Sequence, residues 1–293
     1  MNTEVHRFKV GDFECMAVSD GTYRYEPPHF PPPTDFLFAN ARRESLDKTL
    51  DEHGIRPEQW TAWVSPYICL IVNTGKHVLL VDTGADGLDP ATGRLLQNLQ
   101  SEGIRPEDID TVIITHAHPD HTGGNIDAGG KPAFPRARYI MWKEEWNFWT
   151  SKEAESKLAE HGTILVAFAR KNLPPIEPQL ELIDHEGGIL PGIRGLAAPG
   201  HSPGQMALSI SSKGERLLCM SDVVLHPVHL EQPEWCATVD FAPEQVVATR
   251  RRLLNKAAVE KALVLAFHFP FPGLGHVIQE GKGWRWQPVG RPR

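Results

Sequence analysis

Short apolar runs alternate along the chain with polar breaks rich in glycine and proline, and their order predicts an α/β fold. Residues 7 to 19 alternate loosely between apolar and polar, as early half-buried strands do. Tyr67 to Asn73 and His77 to Asp82 are two apolar runs joined by Thr74-Gly75-Lys76, a hairpin signal. A helix is expected from about Pro90 to Glu102, ahead of the β-branched run Thr111-Val112-Ile113-Ile114, which reads as a buried strand. The second half partly repeats this order. It has a strand near Arg138 to Met141, a stretch of helical composition from Lys143 to Lys171, and a run from Gly192 to Ala198. A hairpin of Met206 to Ile210 and Arg216 to Met220 follows, then an amphipathic helix over Pro243 to Lys256 and a strand over Leu263 to Phe267. Residues 20 to 65 are richer in proline and aromatics, with one short helix near Ser45 to His53 that Gly54 would end. The expectation is a single domain over residues 1–293, with residues 1–65 as an N-terminal elaboration.

Composition narrows the functional classes. With 41% hydrophobic residues over 293 positions, one sizeable core can be filled. A formal net charge of −7 and a pI near 6.1 argue against a nucleic-acid partner, since neutralising phosphates needs a basic surface. The basic run Arg250-Arg251-Arg252 falls in the expected helix and reads as a solvated face. No run approaches the ~18 apolar residues of a membrane span, and the first residues lack a signal-peptide core, so no membrane association and a cytoplasmic setting are expected. Cys15, Cys69, Cys219 and Cys236 are widely spaced and read as buried free thiols.

The chemistry is concentrated in Thr115-His116-Ala117-His118-Pro119-Asp120-His121-Thr122-Gly123-Gly124. Imidazole and carboxylate at this density are ligands for a borderline divalent metal such as zinc. His116 and His118 are two apart, which puts them on one side of an extended chain rather than on a helix face, and Pro119 keeps His118 out of the helical region. Past Pro119 the chain turns, so Asp120 and His121 point elsewhere and one loop can face two metal positions. His201 in Pro199-Gly200-His201-Ser202-Pro203-Gly204, Asp222 after Ser221, and His268 each follow a strand-like run closely. They complete a set of seven candidate ligands gathered at strand ends.

Asp82-Thr83-Gly84, His116-x-His118-x-Asp120-His121, Pro199-Gly200-His201, Ser221-Asp222 and His268 occur in an order that resembles the metallo-β-lactamase superfamily of hydrolases, over about residues 67 to 268. The resemblance implies a four-layer αβ/βα sandwich with two divalent metal ions at one edge, zinc being expected and iron, manganese or cobalt the alternatives. By the family pattern His116, His118 and His201 hold one ion, Asp120, His121 and His268 the other, and Asp222 bridges them, with Asp82 behind the ligand loop. His276 is an alternative ligand for the second ion.

The segment from His268 to His276 and the proline-rich N-terminus resemble the branch with methyl parathion hydrolase and the N-acyl homoserine lactone lactonases, which implies a small-molecule substrate and a possible homodimer. That branch implies a metal-bridging hydroxide attacking a lactone, ester or phosphotriester, with Asp120 and Asp222 as catalytic carboxylates and lactonase or esterase activity favoured over phosphotriesterase activity. Many lactonases carry a tyrosine three residues after the bridging aspartate; here Leu225 stands there, with His226 and His229 nearby. Leu225, His226, Trp146 and Trp149 are the expected pocket residues, and the aromatics Tyr23, Tyr25, Phe30, Phe36 and Phe38 suit an uncharged, partly apolar substrate. A β-lactamase, a di-iron redox protein and a purely structural metal protein are the rival readings. The cytoplasmic setting speaks against the first and His118 against the second, because a glutamate commonly stands there in di-iron members.

Overall fold

The computed structural model describes residues 3–158 and 162–290, so residues 159–161 of the stretch read as helical lie outside the described residues. Two seven-stranded mixed sheets form the centre of the fold. In spatial order the first holds β1 (Val5–Val10), β2 (Phe13–Tyr25), β3 (Trp63–Asn73), β4 (Val78–Val81), β5 (Thr111–Ile113), β6 (Arg138–Trp142) and β7 (Leu180–Ile183). The second holds β8 (Gly187–Leu190), β9 (Ile193–Ala197), β10 (Met206–Ser212), β11 (Glu215–Cys219), β12 (Leu263–Leu265), β13 (Leu274–Glu280) and β14 (Gly283–Pro288). Strands β4 to β7 run parallel, as do β11 and β12, and the remaining neighbours are antiparallel.

Parallel neighbours need crossovers, and the helices supply them. Leu95–Ser101 lies between β4 and β5; Lys143–Thr150, Ala154–Lys157 and Gly162–Asn172 lie between β6 and β7; Pro243–Glu260 lies between β11 and β12. The result is a helix, sheet, sheet, helix sandwich. Its central strands are buried on both faces, which explains their nearly continuous apolar runs. Ala17, Leu70, Val81 and Ile113 point between the sheets towards Leu208, Leu217 and Leu265. Their chain neighbours Val18, Cys69, Ile71 and Val112 point outward onto Leu95, Leu99, Val166 and Ala169. On the far side Ala207, Leu218 and Val264 meet Leu253, Leu254 and Ala257 of the long helix.

Several expectations need correction. Residues 5–25, read as part of the N-terminal elaboration, are strands of the first sheet. The segment outside the sheets is 26–62, with helices Pro33–Leu37 and Arg43–Glu52, and its Phe36, Leu37, Phe38 and Leu46 pack on Leu225, Val228 and Trp235. The helix expected from Pro90 begins only at Leu95. The chain before it wraps instead around Asp20, whose carboxylate accepts from the N–H groups of Ala85 (2.7 Å), Gly93 (3.1 Å) and Leu95 (2.9 Å). Asp20 is free to do this because it is the extra residue of a β-bulge between Ser19 and Gly21. Arg250 is fully buried rather than solvated: its Nε donates to the Val223 carbonyl (2.7 Å) and Nη1 to that of Pro233 (3.1 Å). The C-terminal β13–β14 hairpin was not expected at all.

Candidate metal centre

All the candidate ligands sit just beyond strand ends on one edge of the sandwich: His116 after β5, His201 after β9, Asp222 after β11 and His268 after β12. His118 is extended (φ −68°, ψ 156°) and caps the helical turn Pro119–Thr122, whose proline occupies a first-turn position where a missing N–H costs nothing. That turn carries Asp120 and His121 to a different side of the site. It lies tight against the loop after β4, where a Cβ on Gly124 would come within 2.3 Å of the Thr83 carbonyl oxygen. Gly200, at φ +133°, lets the His201 loop lie on the start of the long helix, 2.2 Å being all that a Cβ would leave to the Val246 nitrogen. Asp82 and Ser221 are non-glycine residues at positive φ (59° and 49°), a conformation that costs such residues about 1–2 kcal/mol. Each directly adjoins a ligand-bearing turn or its support.

The seven side chains are buried and fall into two groups that share Asp222: His116, His118, His201 and Asp222, and Asp120, His121, Asp222 and His268. In the first, His118 Nδ1 stands 3.0 Å from both His116 Nε2 and His201 Nε2. In the second, His268 Nε2 lies 2.9 Å from Asp222 Oδ2, and His121 Nε2 lies 3.2 Å from Asp222 Oδ1. Burial holds His116 and His118 well below the usual imidazole range, and the neighbouring imidazoles add to the effect, so both rings are neutral and carry a free lone pair. Burial pushes the Asp222 carboxyl up, but the imidazoles of His268 and His121 outweigh it and keep the group ionised.

These donors fit metal ions. His121 Nε2 and Asp222 Oδ1 are buried and, although 3.2 Å apart, make no hydrogen bond to each other or to any other described group, a state that costs about 1–3 kcal/mol per group unless something else satisfies it. Three imidazole nitrogens, those of His116, His118 and His201, face one point and cannot all satisfy one another by hydrogen bonds, whereas a cation at that point satisfies all of them. Nitrogen and carboxylate oxygen, four side chains to a position, is the donor set of borderline divalent ions.

A cavity of about 460 Å³ opens onto this cluster. Its lining includes His118, Asp120, His201, Asp222 and His268, with walls of Tyr23, Tyr25, Phe30, Phe36, Trp63 and Leu225. Leu225 lines this cavity, and the other three expected pocket residues do not. Trp149 is buried, donating from Nε1 to Glu145 Oε1 (2.6 Å), because it shares the inner face of helix Lys143–Thr150 with Glu145 one turn earlier. Trp146 packs against the same core. His226 lines a separate cavity, and its burial lowers it to about 3. His229 is committed to the backbone: its Nδ1 accepts from Leu225 N (3.2 Å) and its Nε2 donates to the Leu37 carbonyl (2.9 Å). His276, on β13, hydrogen-bonds the Ala262 carbonyl (3.1 Å) and stays out of the site.

The sequence pattern of the metallo-beta-lactamase superfamily matches residues 63–268, from the start of β3 through the last ligand. The chain belongs to this superfamily. An N-acyl homoserine lactonase of Bacillus cereus is 25% identical over 245 residues, covering 76% of this chain and 86% of that protein. The N-acyl homoserine lactonase AiiA of Bacillus thuringiensis subsp. kurstaki is 26% identical over 247 residues, with the same coverage. Among solved structures, AidC, a dizinc quorum-quenching lactonase in complex with a product, superposes with a TM-score of 0.88 at 27% identity, covering 99% of this chain and 98% of that one. The hydrolase AbOPH gives a TM-score of 0.87 at 26% identity with full coverage of both chains.

In this superfamily member the residues behind the ligands are as informative as the ligands. Asp82 is where the motif order implies: Oδ1 accepts from Thr115 N (2.8 Å), and Oδ2 from Thr115 Oγ1 (2.8 Å) and His121 Nδ1 (2.8 Å). A carboxylate only accepts, so His121 must carry its proton on Nδ1 and present the Nε2 lone pair to the site. Three further supports carry no signal in the local sequence. Asp240 Oδ1 takes the Nδ1 proton of His201 (2.8 Å), and Ser65 Oγ meets His268 Nδ1 (2.8 Å). Glu145 accepts from Ala117 N (2.9 Å) and Gly204 N (2.7 Å), joining the loops that carry His118 and His201. Replacing Asp240 with alanine frees the His201 ring to rotate and is expected to weaken zinc binding by about 10–100-fold, read by competition with a chromogenic chelator.

Proposed function

We propose that this protein is a dinuclear metal-dependent hydrolase acting on a lactone or ester, with His116, His118 and His201 at one ion, Asp120, His121 and His268 at the other, and Asp222 between them. The observation that carries this reading is the pair of buried donor sets sharing one carboxylate at the end of an aromatic-lined cavity. A purely structural metal is buried among protein ligands, whereas here a substrate-sized space reaches both sets. The carboxylates of Asp82, Asp120, Asp222 and Asp240 together match the formal charge of two divalent cations. The neutral imidazoles and tetrahedral-sized donor groups favour zinc. The lactonases and hydrolases of similar sequence and fold support the reaction class.

When bound by these residues, two such cations would supply Lewis acidity, lowering the pKa of a water towards about 7 and polarising the oxygen of the group under attack. The chain's own residues supply the rest. Asp120 lines the cavity beside His268 Nε2 (3.5 Å to Oδ2) and is placed to take a proton from the attacking water and return it to the leaving oxygen. The rings of Tyr25, Phe36 and Trp63 stack at 4.9–5.2 Å and make a stiff apolar wall for an acyl group. The fold places the whole arrangement on strand ends, which hold it rigid. We take the chain to work as one unit, with the 26–62 segment forming part of the cavity wall. A cytoplasmic setting and a homodimer formed through the N-terminal segment belong to the same reading and rest on sequence pattern.

The test is a substrate panel on protein of known metal content: an N-acyl homoserine lactone, an aryl ester, a phosphotriester, a thioester and a β-lactam. Turnover of the lactone or ester is expected to exceed the others by at least tenfold; no turnover of either by protein carrying two metals overturns the reading. Stripping the metals with a chelator is expected to abolish turnover and to remove about 4 kcal/mol of stability per site relative to metal at a thousandfold excess over Kd, both restored by zinc. Thermal unfolding with and without chelator measures the second effect.

A further inference from the structure

Most of the cavity wall is apolar, and the polar side chains that line it beside the candidate ligands are Tyr23, Tyr25 and His29. Of these, Tyr25 has an unusual hydrogen-bond position. Its hydroxyl lies 2.7 Å from that of Tyr67, and neither hydroxyl has another hydrogen-bond partner among the described residues. Each phenol has one proton to give. Tyr67 is fully buried on β3 and enclosed by Tyr23, Phe267 and His268, at ring distances of 6.5, 5.8 and 5.6 Å. Among the described residues the one acceptor within hydrogen-bond reach of its proton is the oxygen of Tyr25. Tyr67 therefore donates to Tyr25, and the proton of Tyr25 is left without an acceptor inside the protein.

We propose that Tyr25 is a hydrogen-bond donor to the substrate, its O–H oriented by Tyr67 towards an oxygen of the group being hydrolysed. The inference rests on the hydrolase reading above. The ring is fixed for this role by stacking on Trp63 and Phe36 and by edge contacts from Tyr23 and Phe30, so little freedom is lost when a ligand binds. Burial, helped by the carboxylate of Asp120, pushes its ionisation well above the usual phenol range, which keeps the proton in place as a donor. A neutral donor held in a cavity with apolar walls strengthens its bond as negative charge develops on the acceptor. Leu225 and the other aliphatic and phenyl side chains of the wall carry no hydrogen-bond donor. No bond other than this hydrogen bond forms or breaks at Tyr25.

The test uses the metal-loaded enzyme with Tyr25→Phe and Tyr67→Phe variants, on the best substrate of the panel. Tyr25→Phe is expected to lower kcat about 10²-fold with KM changed less than threefold, the pattern of an interaction that strengthens in the transition state. Tyr67→Phe, which removes only the orienting bond, is expected to lower kcat about tenfold. Metal content and thermal midpoint should stay at the wild-type values, and calorimetry of the hydrolysed product should show weakened binding to Tyr25→Phe. A wild-type kcat in both variants overturns the proposal while leaving the hydrolase reading intact. Loss in proportion to lost metal or lost fold assigns the pair to structure and overturns it also. If Tyr25→Phe does not fold, the Tyr67→Phe kcat and KM decide alone. A wild type inactive on the whole panel overturns the hydrolase reading itself, and this inference with it.

Discussion

Replacing Asp222 with alanine is expected to remove both metal ions and to lower kcat/KM by at least about 10³-fold, equivalent to about 4 kcal/mol of transition-state stabilisation. Asp222 is the one residue common to both donor groups. Its Oδ2 lies 2.9 Å from His268 Nε2 and 3.4 Å from His201 Nε2, and its Oδ1 lies 3.2 Å from His121 Nε2. Each other ligand serves a single position, so His116→Ala is expected to empty one position and leave the second partly filled. The contrast between the two variants is the sharper test. Elemental analysis of metal per chain should fall from about two towards zero for Asp222→Ala and towards one for His116→Ala. Equal metal content in both variants, or turnover unaffected by Asp222→Ala, defeats the idea of a shared carboxylate. Asp222→Asn adds a control, because it keeps the shape and removes the charge that two cations need between them.

The candidate ligands are legible because their chemistry is local. Four of them fall within six residues, and the geometry of that run follows from the proline after His118 and from period-two spacing in extended chain. His201, Asp222 and His268 could be gathered with them because strands ending in polar residues recur in one order along the chain. The strands were equally legible, since burial on both faces leaves runs such as Cys69-Leu70-Ile71-Val72 with almost no polar interruption.

What sequence pattern missed is what depends on partners far along the chain. Asp240, Ser65 and Asp20 are isolated polar residues whose roles exist only when the fold brings His201, His268 and the 85–95 loop against them. One signal was available: Asp20 closes an apolar run and precedes a glycine, which is where a bulge turns a side chain out of a sheet. The pocket was misassigned for a similar reason. Trp149, expected in the pocket, shares its helix face with the buried Glu145 and so points into the core. The cavity rings come from Tyr25, Phe30 and Phe36, among the aromatics that the sequence offered for an apolar substrate, in a segment where prolines and turns hide any periodicity. Arg250 shows the limit of reading charge from composition. A basic run on a helix crossed the boundary between surface and core, and its first member carries carbonyl groups that the loop from Val223 to Trp235 would otherwise bury unpaired.

Glu145→Ala is expected to cost about 4 kcal/mol of stability, near the top of the range for breaking a buried polar network. The carboxylate is fully buried and receives four donors: Ala117 N, Trp149 Nε1 and Ser202 Oγ on Oε1, and Gly204 N on Oε2. Removing it leaves Ala117 N, Ser202 Oγ and Gly204 N without this acceptor where water is excluded, each at about 1–3 kcal/mol before relaxation, while Trp149 Nε1 keeps Ser202 Oγ at 3.0 Å. Glu145→Gln keeps the volume, but one end of an amide must then present N–H groups to donors. Turned either way it opposes Gly204 N or the three donors on the other side, so a loss of about 2 kcal/mol is expected. Denaturant unfolding of the metal-free proteins measures both values. The consequence for function is separate from the loss of stability. Ala117 lies between His116 and His118, and Gly204 is three residues past His201, so Glu145 sets the distance between the two loops that bring His118 Nδ1 and His201 Nε2 to 3.0 Å. Under conditions where Glu145→Gln remains folded, its zinc affinity at the first position should therefore fall about 10–100-fold, as for other groups that orient ligands. A folded Glu145→Gln protein that binds zinc as tightly as wild type would show that the loops hold their spacing without the carboxylate, and would reduce Glu145 to a core hydrogen-bond acceptor.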